Sequence, residues 1–164
     1  MTPKLENGMP IGRKHKLCLR LGVRDNIKVT DNQVIITYNS KTTVNQVKAM
    51  FSRGAAAALR QEAEAYLPHR LYQLALRFGF KIDVKKIRIN HAKTRWGSRS
   101  SNGTISLNLM LMMMPTELSD YVLLHELNHI KHMDHSAAFW ADLERICPQA
   151  KRKRDALKAY TPYL

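Results

Sequence analysis

Cysteine is nearly absent from this 164-residue chain: only Cys18 and Cys147 occur, far apart and outside any CxxC spacing. That excludes a disulfide framework and a cysteine-built zinc knuckle. Cys18 falls in a strand-like apolar run and Cys147 at a helix end, so both read as buried free thiols. No long hydrophobic run is present, and the most apolar stretch, residues 107–115, is too short to span a bilayer. The first 16 residues are polar and basic, without the apolar segment of a secretory signal. The expectation is a cytoplasmic protein in a reducing compartment, with no membrane partner. Acidic residues are scarce, 13 against 27 Lys and Arg, for a net charge of +14. Such an excess favours polyanions such as nucleic acid or nucleotides, although a generally basic solvated surface accounts for it equally well. No recognised nucleic-acid motif, Gly-rich phosphate loop, acidic metal cluster, internal repeat or low-complexity linker accompanies it. With 45% hydrophobic and 24% charged residues, one globular domain over 1–164 is expected.

The pattern along the chain is mixed. Residues 1–14 are turn-rich (Pro3, Gly8, Pro10, Gly12) and read as a loose arm. Leu17, Leu19 and Leu21 alternate with Lys16, Cys18 and Arg20, and two short strands follow at 27–29 and 34–38, giving a small antiparallel meander. Val44, Val47, Phe51, Ala55, Ala58 and Leu59 recur at helical spacing, from a cap at Thr42 or Thr43 to about Tyr66. Pro68 is expected to interrupt or kink this helix, with a second segment ending at Gly79. Arg53, Arg60, Arg70 and Arg77 read as a solvated basic face. A strand at 87–90 precedes a β-hairpin turned by Asn102-Gly103. Residues 110–114 supply methionine packing filler. Helices follow Pro115 and Ser136, and a basic helix covers 149–160. The class is α+β.

The chemistry concentrates in His125-Glu126-Leu127-Asn128-His129, an H-E-x-x-H motif. On a helix, residues i and i+4 share one face, so His125 and His129 can offer two imidazoles to one Zn2+ ion. Glu126 is then within reach of a water on that metal and suits a general base. Catalytic zinc sites use three protein ligands and keep one position open. For the third ligand, His135 lies across a turn and is the best placed; His132, His91 and Glu144 are the alternatives. A donor for the developing oxyanion would come from Arg95, Trp96 or His91. The spacing of His125, His129 and His135 equals that of metzincins, but His132 replaces their glycine and no methionine follows Met133.

Three stretches together resemble the YgjP-like metallopeptidase family, itself similar to SprT-like zincins: Thr94-Arg95-Trp96-Gly97-Ser98, Ile105-Ser106-Leu107-Asn108 and HELNHIKHMDHSAAFW. The resemblance is densest over about 85–148. It implies a zincin-like fold, His125, His129 and His135 as the zinc ligands, Glu126 as catalytic base, and Phe139 and Trp140 packed under the site. Where family members carry cysteine after Trp-Gly-Ser, this chain has Arg99, which places a positive charge near the cleft. The resemblance also implies an edge strand above the motif helix, for which 95–98 or its hairpin partner is the candidate. The function expected is a zinc metallohydrolase, chiefly a peptidase acting on peptide or protein substrates. The alternatives are a UTP-type pyrophosphatase, a DNA-associated protease, and a non-catalytic nucleic-acid module with structural zinc.

Overall fold

A computed structural model describes residues 5–161. The chain falls into two compact units, one reaching to Glu62 and the other starting at Ala63. In the first, β1 (Pro10–Ile11), β2 (His15–Leu21), β3 (Asn26–Val29) and β4 (Gln33–Tyr38) form one sheet in the order β1-β2-β4-β3. The expected antiparallel meander is therefore corrected: β4 slots between β2 and β3 and pairs parallel with β2. Burial explains the order. Val34 and Ile36 of β4 are fully buried, whereas β3 is short and exposes Asn26 and Lys28. A central strand needs both neighbours and an apolar run; β3 suits only an edge.

The loose arm is also corrected over its described part; residues 1–4 lie outside it. Ile11 is 1% exposed, β1 pairs with β2, and the Asn7 side chain bonds both the N–H and the C=O of Leu19. The turn after β1 is held by Glu62. Its carboxylate accepts the backbone N–H groups of Arg13 (2.7 Å), Lys14 (3.0 Å) and His15 (3.1 Å), and Oε1 lies 2.6 Å from His15 Nδ1. Gly12, at φ +64°, makes this approach possible: a Cβ there would come 2.5 Å from Glu62 Oε2.

Helix α1 runs unbroken from Val44 to Phe78 with Pro68 inside, so the expected interruption does not occur. A proline removes one backbone bond and clashes with the preceding turn, about 3 kcal/mol in a free helix. Here Leu67, Leu71 and Leu74 are buried on the flanking turns and offset that cost. The helix stops at Gly79, as the sequence indicates.

In the second unit, β5 (Ile87–Asn90), β6 (Gly97–Arg99) and β7 (Ile105–Asn108) form a sheet in the order β5-β7-β6. The hairpin β6–β7 is antiparallel and β5 pairs parallel with β7, leaving β6 at the edge. Residues Leu109–Met113 make a 3-10 turn that buries Met110 and Met112. Three helices follow: α2 (Thr116–Asn128), α3 (Ala137–Ile146) and α4 (Ala150–Ala156). Ser136 caps α3, accepting from Phe139 N. Arg70 of α1 makes a two-pronged bond to Asp120 of α2, at 2.9 and 2.6 Å, so it is not part of a merely solvated face. Among the described residues no helix is long and apolar enough to cross a membrane.

Candidate metal centre

His125 and Glu126 occupy the last turn of α2, and His129 is its C-cap, still in helical conformation at φ −65°, ψ −8°. The motif therefore lies at the end of the helix, and the i, i+4 geometry survives. The chain turns through 130–134 and brings His135 back. One ligand atom from each of His125, His129 and His135 lies within 4.8 Å of the others, the three-residue cluster of metal-binding types found among the described residues. The Nε2 atoms of His125 and His135 are 3.1 Å apart. Two imidazole nitrogens on one tetrahedral zinc, at about 2.0–2.1 Å each, lie roughly 3.3 Å apart, so this spacing is that of co-ligands.

The surroundings orient the rings. His129 Nδ1–H donates to the carbonyl of His132 at 2.8 Å, which leaves Nε2 with its lone pair outward. His125 Nδ1 is buried without a partner, so the ring's polar contact falls to Nε2. Phe139, fully buried on α3, lies 4.9, 4.8 and 4.9 Å from the His125, His129 and His135 rings, a common floor for all three. Asn128 fixes α3 to α2 by donating to the Phe139 carbonyl at 2.9 Å. Burial, with the neighbouring His129, His135 and Arg154, pushes His125 down to about 3. His129 is also lowered, first by burial. Neutral rings are what a metal requires.

Glu126 is 5% exposed, and burial raises its carboxyl to about 7; a cation held by the adjacent histidines would draw it back toward the carboxylate range. Gly97 of β6 packs against it: a Cβ there would meet Glu126 Oε1 at 2.7 Å and Cγ at 2.8 Å. Glu126 faces a cavity of about 180 Å³ that Arg95, Trp96, Gly97, Tyr121, His125 and Leu157 also line. The preceding loop is held by Asn108, whose side chain donates to the carbonyls of Ala92 (2.7 Å) and Arg95 (2.9 Å). A second cavity, about 410 Å³, opens on the His135 side between Tyr121, Trp140 and Arg154.

Of the sequence candidates, His125, Glu126, His129 and His135 come together, with Arg95 and Trp96 beside them. The others do not. His91 is exposed and lines neither cavity. His132 Nε2 is bonded to Asp142 at 2.7 Å. Glu144 accepts from the backbone of Gln149 (2.6 Å) and Ala150 (2.9 Å), capping α4. Arg99 brings its positive charge beside the histidines, as its position in the sequence suggests, and donates to the His129 carbonyl at 3.3 Å, where it also complements the C-terminal end of α2. Sequence reasoning missed Tyr121, Leu157 and Arg154. Tyr121 stands four residues before His125, so helical spacing could have found it. Nothing local marks Leu157 or Arg154, which arrive from the C-terminal helix.

Over residues 4–160 the chain matches the family described as YgjP-like, metallopeptidase domain. Among solved structures it is similar to the metallopeptidase zymogen of Pyrococcus abyssi abylysin, at 28% identity over 56% of this chain and 90% of that one, with a TM-score of 0.49. It is similar also to the metallopeptidase zymogen of Methanocaldococcus jannaschii jannalysin, at 24% identity over the same shares, with a TM-score of 0.45. No curated protein matches. A match over nearly the whole chain, on a sequence whose three histidines meet beside a buried glutamate, leaves one assignment: the chain belongs to the YgjP-like metallopeptidase family.

Proposed function

We propose that the protein is a zinc-dependent peptidase in which His125, His129 and His135 hold the ion and Glu126 is the general base. The observation that carries the reading is the convergence of three imidazoles beside one buried carboxylate. Bound zinc would polarise a scissile carbonyl and acidify a water molecule. Glu126 takes the water's proton onto its carboxylate and returns it to the departing amine. Gly97 keeps the space that this carboxylate needs. Arg95 and Trp96 line the Glu126 cavity and are the candidate donors to the developing oxyanion. Strand β6, at the sheet edge and packed near α2, supports binding of an extended peptide by main-chain pairing, with little demand on its sequence.

The test is zinc content and peptide cleavage, measured on the same samples of the wild type, Glu126→Gln and His135→Ala. Glu126→Gln is expected to keep its zinc and lose cleavage; His135→Ala is expected to lose both. A zinc-loaded wild type inert on unfolded proteins and diverse peptides refutes the reading. Pyrophosphate release from UTP that disappears in Glu126→Gln would replace it with nucleotide hydrolysis.

A second reading, a peptidase that works on nucleic acid, is supported by the first unit. The register Cys18↔Ile35↔Lys28 puts Lys16, Arg20 and Lys28 on the same solvent-side face of the sheet, and none of them forms an ion pair among the described residues. From strand spacing these cations lie about 12–13 Å apart in a triangle. DNA binding that weakens steeply with salt, and weakens further when the three are replaced by glutamine, is the expected result.

A further inference from the structure

The cavity on the His135 side has no role in moving a proton, yet it is the larger of the two at the histidines. Its volume of about 410 Å³ falls in the range of ligand pockets, about 300–1,000 Å³. Its walls are Tyr121, His125, His135, Trp140 and Arg154, with no carboxylate among them. The Arg154 guanidinium sits 5.3 Å from the centroid of the Trp140 ring. The Trp140 ring in turn lies 6.3 Å from that of His135 and 6.4 Å from that of His125.

Arg154 lines this cavity while remaining exposed to solvent. Asp155, its neighbour in sequence, is paired with Lys158 at 2.7 Å. Among the described residues Arg154 makes no hydrogen bond or ion pair. The cation–π contact with the indole holds the guanidinium at this wall, and its N–H donors remain for a planar oxyanion. Such a fork prefers a carboxylate, which it can hold by two parallel bonds.

We propose that Arg154, braced by Trp140, is the receptor for a carboxylate on the substrate, placed in the cavity beyond the scissile bond. The proposal rests on the peptidase reading and adds a specificity to it: bonds followed closely by a carboxylate are preferred. That carboxylate is the chain's own C-terminus or an acidic side chain. Arg154 is a specificity-determining residue; Tyr121 and His125 form the wall that the two cavities share.

The experiment uses the zinc-loaded full chain and peptide pairs of one sequence. One pair differs as free acid against C-terminal amide; the other has glutamate against glutamine next to the scissile bond. The wild type is expected to favour the acid member of one pair, and the pair that responds names the source. In Arg154→Gln the acid-over-neutral ratio of kcat/KM is expected to fall roughly 10- to 100-fold, the worth of a charge-assisted bond. Arg154→Lys, which keeps the charge and loses the fork, restores part of it. Zinc content and far-UV circular dichroism show that the variants are folded. A wild type with no preference in either pair, or a ratio unchanged in Arg154→Gln, overturns the proposal. Calorimetric titration with N-acetylglycine and its amide reads the same site without turnover. Tighter binding of the acid, lost in Arg154→Gln, sustains the carboxylate site even if no peptide is cleaved; equal binding of acid and amide removes it.

Discussion

Replacing Glu62 by glutamine isolates one charge while keeping the shape of the side chain. The carboxylate accepts three backbone N–H groups and faces His15 Nδ1 at 2.6 Å, and the residue is 8% exposed. If the amide oxygen takes the place of Oε1, it keeps the contacts to Lys14 and His15 but loses their charge assistance. The amide nitrogen then confronts the Arg13 N–H at the position where Oε2 now accepts at 2.7 Å, donor against donor. A buried donor without a partner costs about 1–3 kcal/mol, and lost charge assistance adds to it. The expected destabilisation is about 2–4 kcal/mol for Glu62→Gln, and about 3–5 kcal/mol for Glu62→Ala, which breaks the pair outright.

The pH dependence checks the cause. Burial alone would raise the Glu62 carboxyl, but the bonds from His15 and the three N–H groups outweigh it and hold it below its ordinary 4.5. A depressed folded value stabilises above the unfolded value and is lost as pH falls through the folded one. The gap between wild type and Glu62→Gln should therefore be full at pH 7 and narrow below about pH 4.5. Urea unfolding followed by circular dichroism gives the free energies, and hydrogen exchange at the Arg13, Lys14 and His15 amides localises the loss. A Glu62→Gln protein within about 0.5 kcal/mol of wild type at pH 7, or a gap that does not narrow in acid, would refute the reasoning.

Gly97→Ala is expected to push the Glu126 carboxylate from its place and lower peptide cleavage roughly 100-fold, with zinc content unchanged; cleavage at the wild-type rate would show that the contact is not limiting. Arg99→Gln removes the cation from the end of the ligand helix and should cost about 0.3–1 kcal/mol, a Tm drop of about 1–4 °C, visible by calorimetry. Chelation of the zinc-loaded protein should lower Tm, and the Tm should climb with the logarithm of free zinc; a Tm indifferent to zinc would argue against binding to the folded state.

Much of the site was legible because its spacing is local. Helical periodicity alone puts His125 and His129 on one face, and Ser136 starts α3 in time to return His135. The Asn102-Gly103 turn likewise announces the hairpin that carries Gly97 toward Glu126. Elsewhere a residue's local tendency is overridden by its neighbours. Pro68 breaks a helix in isolation, and flanking leucines carried it through. Glycine and proline in 1–14 suggest looseness, and a carboxylate some fifty positions away, |i−j| = 49 from Arg13, pins that turn.

The sequence by itself pointed to the histidine cluster and determined the α+β class and the place of most elements, because those follow from periods of two and 3.6 residues and from caps and turns. Tertiary structure decided the rest. It put β4 at the centre of the first sheet, turned Arg99 onto a helix end, took His132 and Glu144 out of contention as ligands, and set Arg154 on Trp140 beside the histidines. The placing of β4, Arg99 and Arg154 brings together residues well separated along the chain, and no local pattern encodes those meetings.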